Sequence, residues 1–306
     1  MKIAVITPLF SRSTELMQTL TSTFSEVKHN ADNTLKTKAD LIAFLQDVDG
    51  AIVGREKIDD EILRACPKLK ILSRYGVGLD NLDLEAMKKR GVELGWTGGT
   101  NSNSVAEITL SFMLSLSRNL HVATTLLKQH IWKVNGGSEL KGKTIGLFGF
   151  GNIAKRVVEL LAPFHCNILV YNRTQDEQEA LKYSITYTSK ERIIEEADII
   201  SIHLPLTPES ENLFSTHEFK VMKKSAFIIN TARGGIIDEE ALKVALKTGE
   251  IAGAGLEAFL VEPPQDWELI DLPNLVCTPH LGGNSKESIL AMGYSCIDHL
   301  KAFFIH

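Results

Sequence analysis

Short runs of β-branched and apolar residues recur along this chain, and an amphipathic stretch of helical spacing follows most of them. That alternation constrains the fold more than any other feature, because neighbouring parallel strands need a helical crossover where antiparallel hairpins need only a turn. In the first third, strands are expected at 3–7, 51–53, 71–73 and 92–94, with helices at 39–46, 60–66 and 83–89 between them. A long helix is expected over 104–119, and the alternation then restarts with strands at 144–149, 168–171, 199–203, 227–230, 253–256 and 275–277. The stretch beyond Pro279 carries an apolar helical pattern (Ile289, Leu290, Met292, Ile297, Leu300) too short for a domain, so it is expected to return to the first unit. At 306 residues and 44% hydrophobic the chain exceeds what one core usually supports. The fold class that follows is α/β, with two doubly wound parallel-sheet domains.

Charge and cysteine content narrow the setting. The formal net charge is −5 and the basic clusters, Lys88-Lys-Arg90 and Lys223-Lys224, are short, so neither nucleic acid nor an anionic membrane is an expected partner. Cys66, Cys166, Cys277 and Cys296 lie far apart and form no Cys-x-x-Cys pair, which argues against a disulfide framework or a metal knuckle. No apolar run is long enough for a membrane span or a secretory leader, and a cytoplasmic location without a bound metal is expected.

The segment Lys143-Thr-Ile-Gly-Leu-Phe-Gly149-Phe-Gly151-Asn-Ile-Ala154 follows a strand and opens a helix. In that context Gly149 permits a tight turn, Gly151 lets backbone approach a pyrophosphate, and Ala154 lets helix and strand pack closely. The N–H groups at the helix start, around Asn152 and Ile153, then face the phosphates. A plain glycine turn without ligand is the structural alternative. On the next strand the acidic residue that would accept both ribose hydroxyls is missing, and the chain reads Asn172-Arg173-Thr174. Neutral and cationic donors there can hold a 2′-phosphate, so NAD or NADP is expected, with NADP physically plausible.

Three further motifs frame chemistry: Arg233 in Asn230-Thr-Ala-Arg-Gly-Gly235, Glu262 in Glu262-Pro-Pro264, and His280 in Thr278-Pro-His-Leu-Gly-Gly283. With a hydride carrier beside them, a fixed cation, a base that titrates near neutrality and a carboxylate to orient that base suit the oxidation or reduction of a carbon bearing oxygen. Singly, each also has a structural reading: a salt-bridging arginine, a loop acid before prolines, a buried hydrogen-bonding histidine. Upstream, Arg74-Tyr-Gly76-Val77-Gly78 follows a strand and can turn consecutive N–H groups toward an anion.

Together these stretches resemble the D-isomer-specific 2-hydroxyacid dehydrogenases over nearly the whole chain, closest in wording to the phosphoglycerate dehydrogenases without their regulatory domain. The matching residues are Ser73-Arg-Tyr-Gly-Val-Gly-Leu-Asp-Asn81, Asn101 with Ser104-Val-Ala-Glu107, the glycine segment, and the motifs of Arg233, Glu262 and His280. The resemblance implies a substrate domain of residues 1–97 plus 280–306 and a Rossmann domain of residues 98–279, with the active site in the cleft between them. It implies His280 as acid/base, Glu262 as its partner, and Arg233 on the substrate carboxylate and C2 oxygen. Substrate contacts are implied for Arg74, Gly76, Val77, Gly78 and Asn101, and for Lys133 donated from a second subunit. The coenzyme is implied to touch His203, Pro205, Thr231, Ala232 and Glu257 besides the glycine segment and residues 172–174. A homodimer is implied through about 104–135.

The function so implied is hydride transfer between NAD(P) and a D-2-hydroxy or 2-keto acid, with 3-phosphoglycerate and phosphohydroxypyruvate favoured. Glyoxylate or hydroxypyruvate reduction is the rival, and a non-catalytic NAD(H)-sensing, corepressor-like module is the reading from another class. Formate oxidation is disfavoured because it needs no acid/base. Two departures stand out from the family pattern. Trp96-Thr-Gly-Gly-Thr-Asn101 replaces the usual Asn-Thr-Pro-Gly stretch, and Glu257 stands where an aspartate is usual.

Overall fold

A computed structural model describes residues 1–305, and the backbone divides into two compact units. One comprises Met1–Asn101 with the segment from Gly283 onward, the other Ser102–Gly282.

The first unit is built on a five-stranded parallel sheet: β1 (Lys2–Val5), β2 (Glu26–His29), β3 (Gly50–Val53), β4 (Ile71–Arg74) and β5 (Glu93–Gly95), in the order β2-β1-β3-β4-β5. Because side chains alternate along a strand, successive residues feed opposite layers. Ala4, Ala51, Val53 and Leu72 pack on Leu45, Ile62 and Met87 of one helical layer. Ile3, Val5, Ile52 and Ile71 face the other layer, formed by Phe10, Leu16 and Leu20 together with Met292, Ile297 and Leu300 of the helix Lys286–Phe304. The C-terminal helix therefore completes the cover of a sheet face that the N-terminal helices share. Each such buried side chain contributes about 1.5–3 kcal/mol.

The second unit carries seven parallel strands: β6 (Thr144–Phe148), β7 (Asn167–Tyr171), β8 (Ile185–Tyr187), β9 (Ile199–Ile202), β10 (Phe227–Asn230), β11 (Gly253–Leu256) and β12 (Leu275–Cys277). Their order, β12-β11-β10-β9-β6-β7-β8, reverses direction between β9 and β6, the kind of switch point where open α/β sheets bind ligands beyond their carboxyl ends. Both faces are covered. Phe148, Ile200, Ile202 and Ile228 belong to one core layer, and Ile145, Leu147, Ile199 and Ile229 to the other. That two-sided burial explains why these strands read as nearly unbroken apolar runs.

Two edge strands, β2 and β8, are not among those expected from the sequence. β2 is Glu-Val-Lys-His with exposed ends, and β8 spans only three residues. An edge strand contacts the core weakly, so its composition stays mixed and period-two patterning fades. The long helix runs Ser102–Ser117, two residues earlier than expected at both ends.

Candidate active site

The strands β10, β11 and β12 lie side by side, with Asn230 opposite Leu256 and Leu256 opposite Cys277. Being parallel, they deliver the loops after their carboxyl ends to one edge of the sheet, which brings Arg233, Glu262 and His280 from well-separated sequence positions into one neighbourhood. Local hydrogen bonds fix each loop. Asn230 accepts from the Ala232 amide at 3.0 Å and donates to the Arg233 carbonyl at 2.7 Å, while Arg233 Nη1 donates to the Ala232 carbonyl at 2.8 Å. A Cβ on Gly234 would sit 2.0 Å from the carbonyl carbon of Phe259, so only glycine lets the arginine loop lie against the loop that carries Glu262.

His280 Nδ1 lies 2.7 Å from Glu262 Oε1, with both side chains about 30% exposed. A carboxylate only accepts, so Nδ1 carries the proton and Nε2 is the atom that can take one from a substrate. Glu262 Oε1 also accepts from the Phe259 amide at 3.3 Å. His280 itself has φ of +50°, a left-handed conformation that costs a non-glycine residue about 1–3 kcal/mol and must be held by its surroundings.

One carboxylate of this neighbourhood escaped sequence reasoning. Glu239 accepts from the Leu260 amide at 2.6 Å, pinning the loop that bears Glu262. Burial pushes its pKa up against the pull of that amide, and the charges of Asp266 and Glu262 push the same way. In the sequence it sits in Asp238-Glu239-Glu240 at a helix start, where acids are explained by capping. Asp238 does cap that helix, accepting from Glu240 and Ala241.

The glycine segment opens the helix Asn152–Leu161 with Gly151 at its cap position and no acidic residue in its first turn. Gly149 has φ of +94°, and a Cβ there would stand 2.7 Å from the His203 carbonyl oxygen. Around Gly151 a Cβ would meet nothing within 4 Å, which leaves open room beside the helix N-terminus. A dinucleotide pyrophosphate fits that arrangement. Asn172 is a brace: its Oδ1 accepts from the Phe150 amide at 3.3 Å and its Nδ2 donates to the Thr174 carbonyl at 2.6 Å. Arg173 and Thr174 are exposed. The acidity of Glu209 rises mainly through its bond with Thr207, and the charge of Arg173 adds to it.

Beyond β9, His203 Nε2 lies 3.0 Å from Ser201 Oγ, and desolvation brings its pKa down to about 4, so the ring is neutral at physiological pH. The Pro205 carbonyl accepts from Ser210 Oγ at 2.7 Å. Thr231 Oγ1 lies 3.0 Å from Thr109 Oγ1.

Glu257, expected to touch the coenzyme, is turned into the protein. Its side chain is 2% exposed and its two oxygens accept from Thr278 Oγ1 and from the Leu281 and Gly282 amides. The extra methylene relative to aspartate carries the carboxylate to those donors.

Arg74, expected to touch the substrate, is likewise drawn inward and 9% exposed. Its Nε donates to the Gly78 carbonyl at 2.6 Å, and its Nη1 to the Gly54 and Tyr75 carbonyls, both at 2.6 Å. Trp96 Nε1 donates to the Val77 carbonyl at 3.1 Å. In a trans peptide C=O and N–H point oppositely, so each of the amides of Gly76, Gly78 and Leu79 points away from the donor that holds the carbonyl before it. Arg74 and Trp96 thus hold carbonyls of this loop. Asn101 Oδ1 is buried with no hydrogen-bond partner among the described residues, as an acceptor awaiting a ligand would be. Lys133 is fully on the surface. Among the described residues there is no helix long and apolar enough to cross a membrane, and no cluster of His, Cys, Asp and Glu that could hold a metal ion.

The family model for the D-isomer specific 2-hydroxyacid dehydrogenase, NAD binding domain, matches residues 110–282. The chain belongs to this family. It is an oxidoreductase of the nicotinamide-dependent type that acts on the CH–OH group of its donors. The dehydrogenase is 36% identical to a hydroxypyruvate reductase of Thermotoga maritima over 86% of its own length and 87% of the relative's. Over 98% of its length it is 35% identical to a D-3-phosphoglycerate dehydrogenase of Methanocaldococcus jannaschii, but it spans only 57% of that protein. Among solved structures, a formate dehydrogenase of Staphylococcus aureus in complex with NAD superposes with a TM-score of 0.86 at 30% identity, covering 100% of this chain and 96% of the other.

Proposed function

We propose that the protein interconverts a small unphosphorylated 2-keto acid of the hydroxypyruvate or glyoxylate class with its D-2-hydroxy acid. The observation that carries this reading is the His280–Glu262 pair beside the Arg233 loop, which supplies an acid/base and a carboxylate-binding cation. Arg74, the cation nearest in sequence to the Gly76–Gly78 loop, is committed to the carbonyls of Gly54, Tyr75 and Gly78, which favours the unphosphorylated substrate over 3-phosphoglycerate. The phosphorylated acid remains the second reading, because Arg55 and Lys133 are exposed cations. Initial rates with NADH and NADPH against phosphohydroxypyruvate, hydroxypyruvate, glyoxylate and pyruvate separate the two. A preference for the phosphorylated acid in kcat/KM reverses the assignment.

In the oxidation direction His280 Nε2 takes the hydroxyl proton, and Glu262 holds the ring through Nδ1 while the imidazole carries positive charge. Arg233 binds the carboxylate and draws electron density toward the C2 oxygen. Within the first unit, the amides of the Gly76–Gly78 loop are proposed to meet an anion. When bound, the nicotinamide takes up the hydride lost from C2, or supplies it in the reverse direction. Gly149, Gly151, Asn152 and Ile153 would hold the pyrophosphate, and His203, Pro205, Thr231 and Ala232 would line the remainder of the coenzyme site.

NADP is the coenzyme that residues 172–174 fit best. Asn172 braces the turn, so the exposed Arg173 and Thr174 are presented to the adenine ribose. Arg173→Ala is expected to weaken NADPH by about 1.5–3 kcal/mol, roughly 10–150-fold, and NADH far less. Equal losses for both coenzymes, read by fluorescence titration, would reject a 2′-phosphate contact.

A second copy of the chain is the proposed partner. The helix Leu120–Lys128 buries none of its residues within the monomer, and Trp132 and Val134 beyond it are 83% and 85% exposed. Apolar side chains this open are characteristic of an association surface. A monomeric mass in light scattering would remove the homodimer.

A further inference from the structure

The turn that carries His280 is wrapped around one buried carboxylate. Glu257 Oε1 accepts from Thr278 Oγ1 at 2.5 Å and from the Leu281 amide at 2.7 Å, and Oε2 accepts from the Gly282 amide. These donors flank His280 on both sides. Removing a carboxylate from water is costly unless hydrogen bonds replace the lost solvation, and here all of the donors come from a single five-residue turn. A Cβ on Gly282 would lie 2.4 Å from Glu257 Oε2, so the backbone closes directly on the carboxylate. At its other end Glu257 is anchored to the neighbouring strand, its amide donating to the Asn230 carbonyl at 3.0 Å. Asn230 in turn grips the carbonyl of Arg233.

We propose that Glu257 is a positioning residue for the reaction: it sets the place of the His280 imidazole by gripping the turn on either side, and ties that turn to the strand bearing Arg233. Glu262 orients the ring, whereas Glu257 locates the backbone from which the ring projects. The proposal rests on His280 being the acid/base.

The length of the side chain is what the role requires. Glu257→Asp withdraws the carboxylate by ~1.5 Å, about one carbon–carbon bond, so that it no longer reaches all of its donors. Glu257→Gln keeps the length but sets an amide NH₂ against a backbone N–H. Both variants are expected to lower kcat about 10–100-fold at saturating coenzyme and substrate, since a misplacement near 1 Å costs on that order. Coenzyme Kd, read by NAD(P)H fluorescence, is expected to stay within about twofold. The solvent deuterium isotope effect on kcat is expected to rise as proton transfer becomes slower, a change that general loosening of the fold does not produce.

Thr278→Val removes a single donor at nearly constant volume, so it decides the question if the Glu257 variants fail to fold. It is expected to show the same kcat-specific loss in smaller measure. A tenfold or greater loss of coenzyme affinity with kcat retained would overturn the proposal and return Glu257 to the nicotinamide. Unchanged kcat in the folded variants would overturn it as well. His280→Gln, run in parallel, isolates the underlying assignment: full turnover in that variant refutes the acid/base role, whatever the Glu257 variants do.

Discussion

Replacing His280 by alanine is expected to lower kcat by about 10²–10⁴-fold, the usual contribution of a positioned general acid–base, while coenzyme affinity stays within about twofold. The argument is geometric. Glu262 Oε1 occupies Nδ1 at 2.7 Å and can only accept, so the ring stands in the tautomer whose Nε2 is ready to receive a proton. Alanine removes that acceptor but keeps the backbone turn, which Glu257 holds through Thr278, Leu281 and Gly282. The coenzyme phosphates are assigned to the helix start at Asn152, after a different strand, so their binding has no reason to change. His280→Asn guards against a folding artefact, because asparagine tolerates the φ of +50° seen here better than alanine does. Steady-state rates and coenzyme titrations on the two variants suffice. Turnover above a tenth of the wild-type value in either would sink the assignment.

Arg233→Lys carries the second largest expected effect, a fall of about 10²-fold or more in kcat/KM for every 2-keto acid accepted. Lysine keeps the charge but lacks the planar fork that meets a carboxylate through parallel bonds, each charge-assisted bond being worth about 1.5–3 kcal/mol. The loop around Arg233 is prepared for that fork. Asn230 clasps it from within, and Gly234 lets it rest on the Phe259 carbonyl. A lysine would keep the Asn230 bonds of the loop but lose the Nη1 bond to the Ala232 carbonyl, so an unchanged coenzyme Kd is needed to show that the backbone has stayed in place. Arg233→Ala is expected to fall further, and added guanidinium to restore part of the rate. A loss under about fivefold in the lysine variant, or no rescue of the alanine variant, would show that Arg233 does not hold the carboxylate.

Much of this site was legible before any coordinates. Gly149, Gly151 and Ala154 announce a strand, a turn and a helix start because the backbone demands on those positions are local. Arg233, Glu262 and His280 are recognisable because each sits in a short loop directly after an apolar strand. Two short edge strands were missed: Glu26–His29 has exposed ends, and Ile185–Tyr187 spans only three residues, too few to leave a periodic trace. Glu239 was hidden for a different reason, since an acid in the first turn of a helix is already accounted for by the helix dipole.

What the amino-acid sequence determined by itself is therefore the alternation of parallel strands and helices, the glycine turn at a helix start, and the residue types proposed to move a proton and bind an acid. All of these depend on residues within a few positions of one another. What only the tertiary structure decided is where the charged side chains point. Arg74 turns to the carbonyls of Gly54, Tyr75 and Gly78, and Glu257 to the amides of Leu281 and Gly282. Neither direction can be read from spacing, because a buried charge goes where folding leaves donors or acceptors unpaired. Those partners become neighbours only once distant loops have met at the ends of adjacent strands.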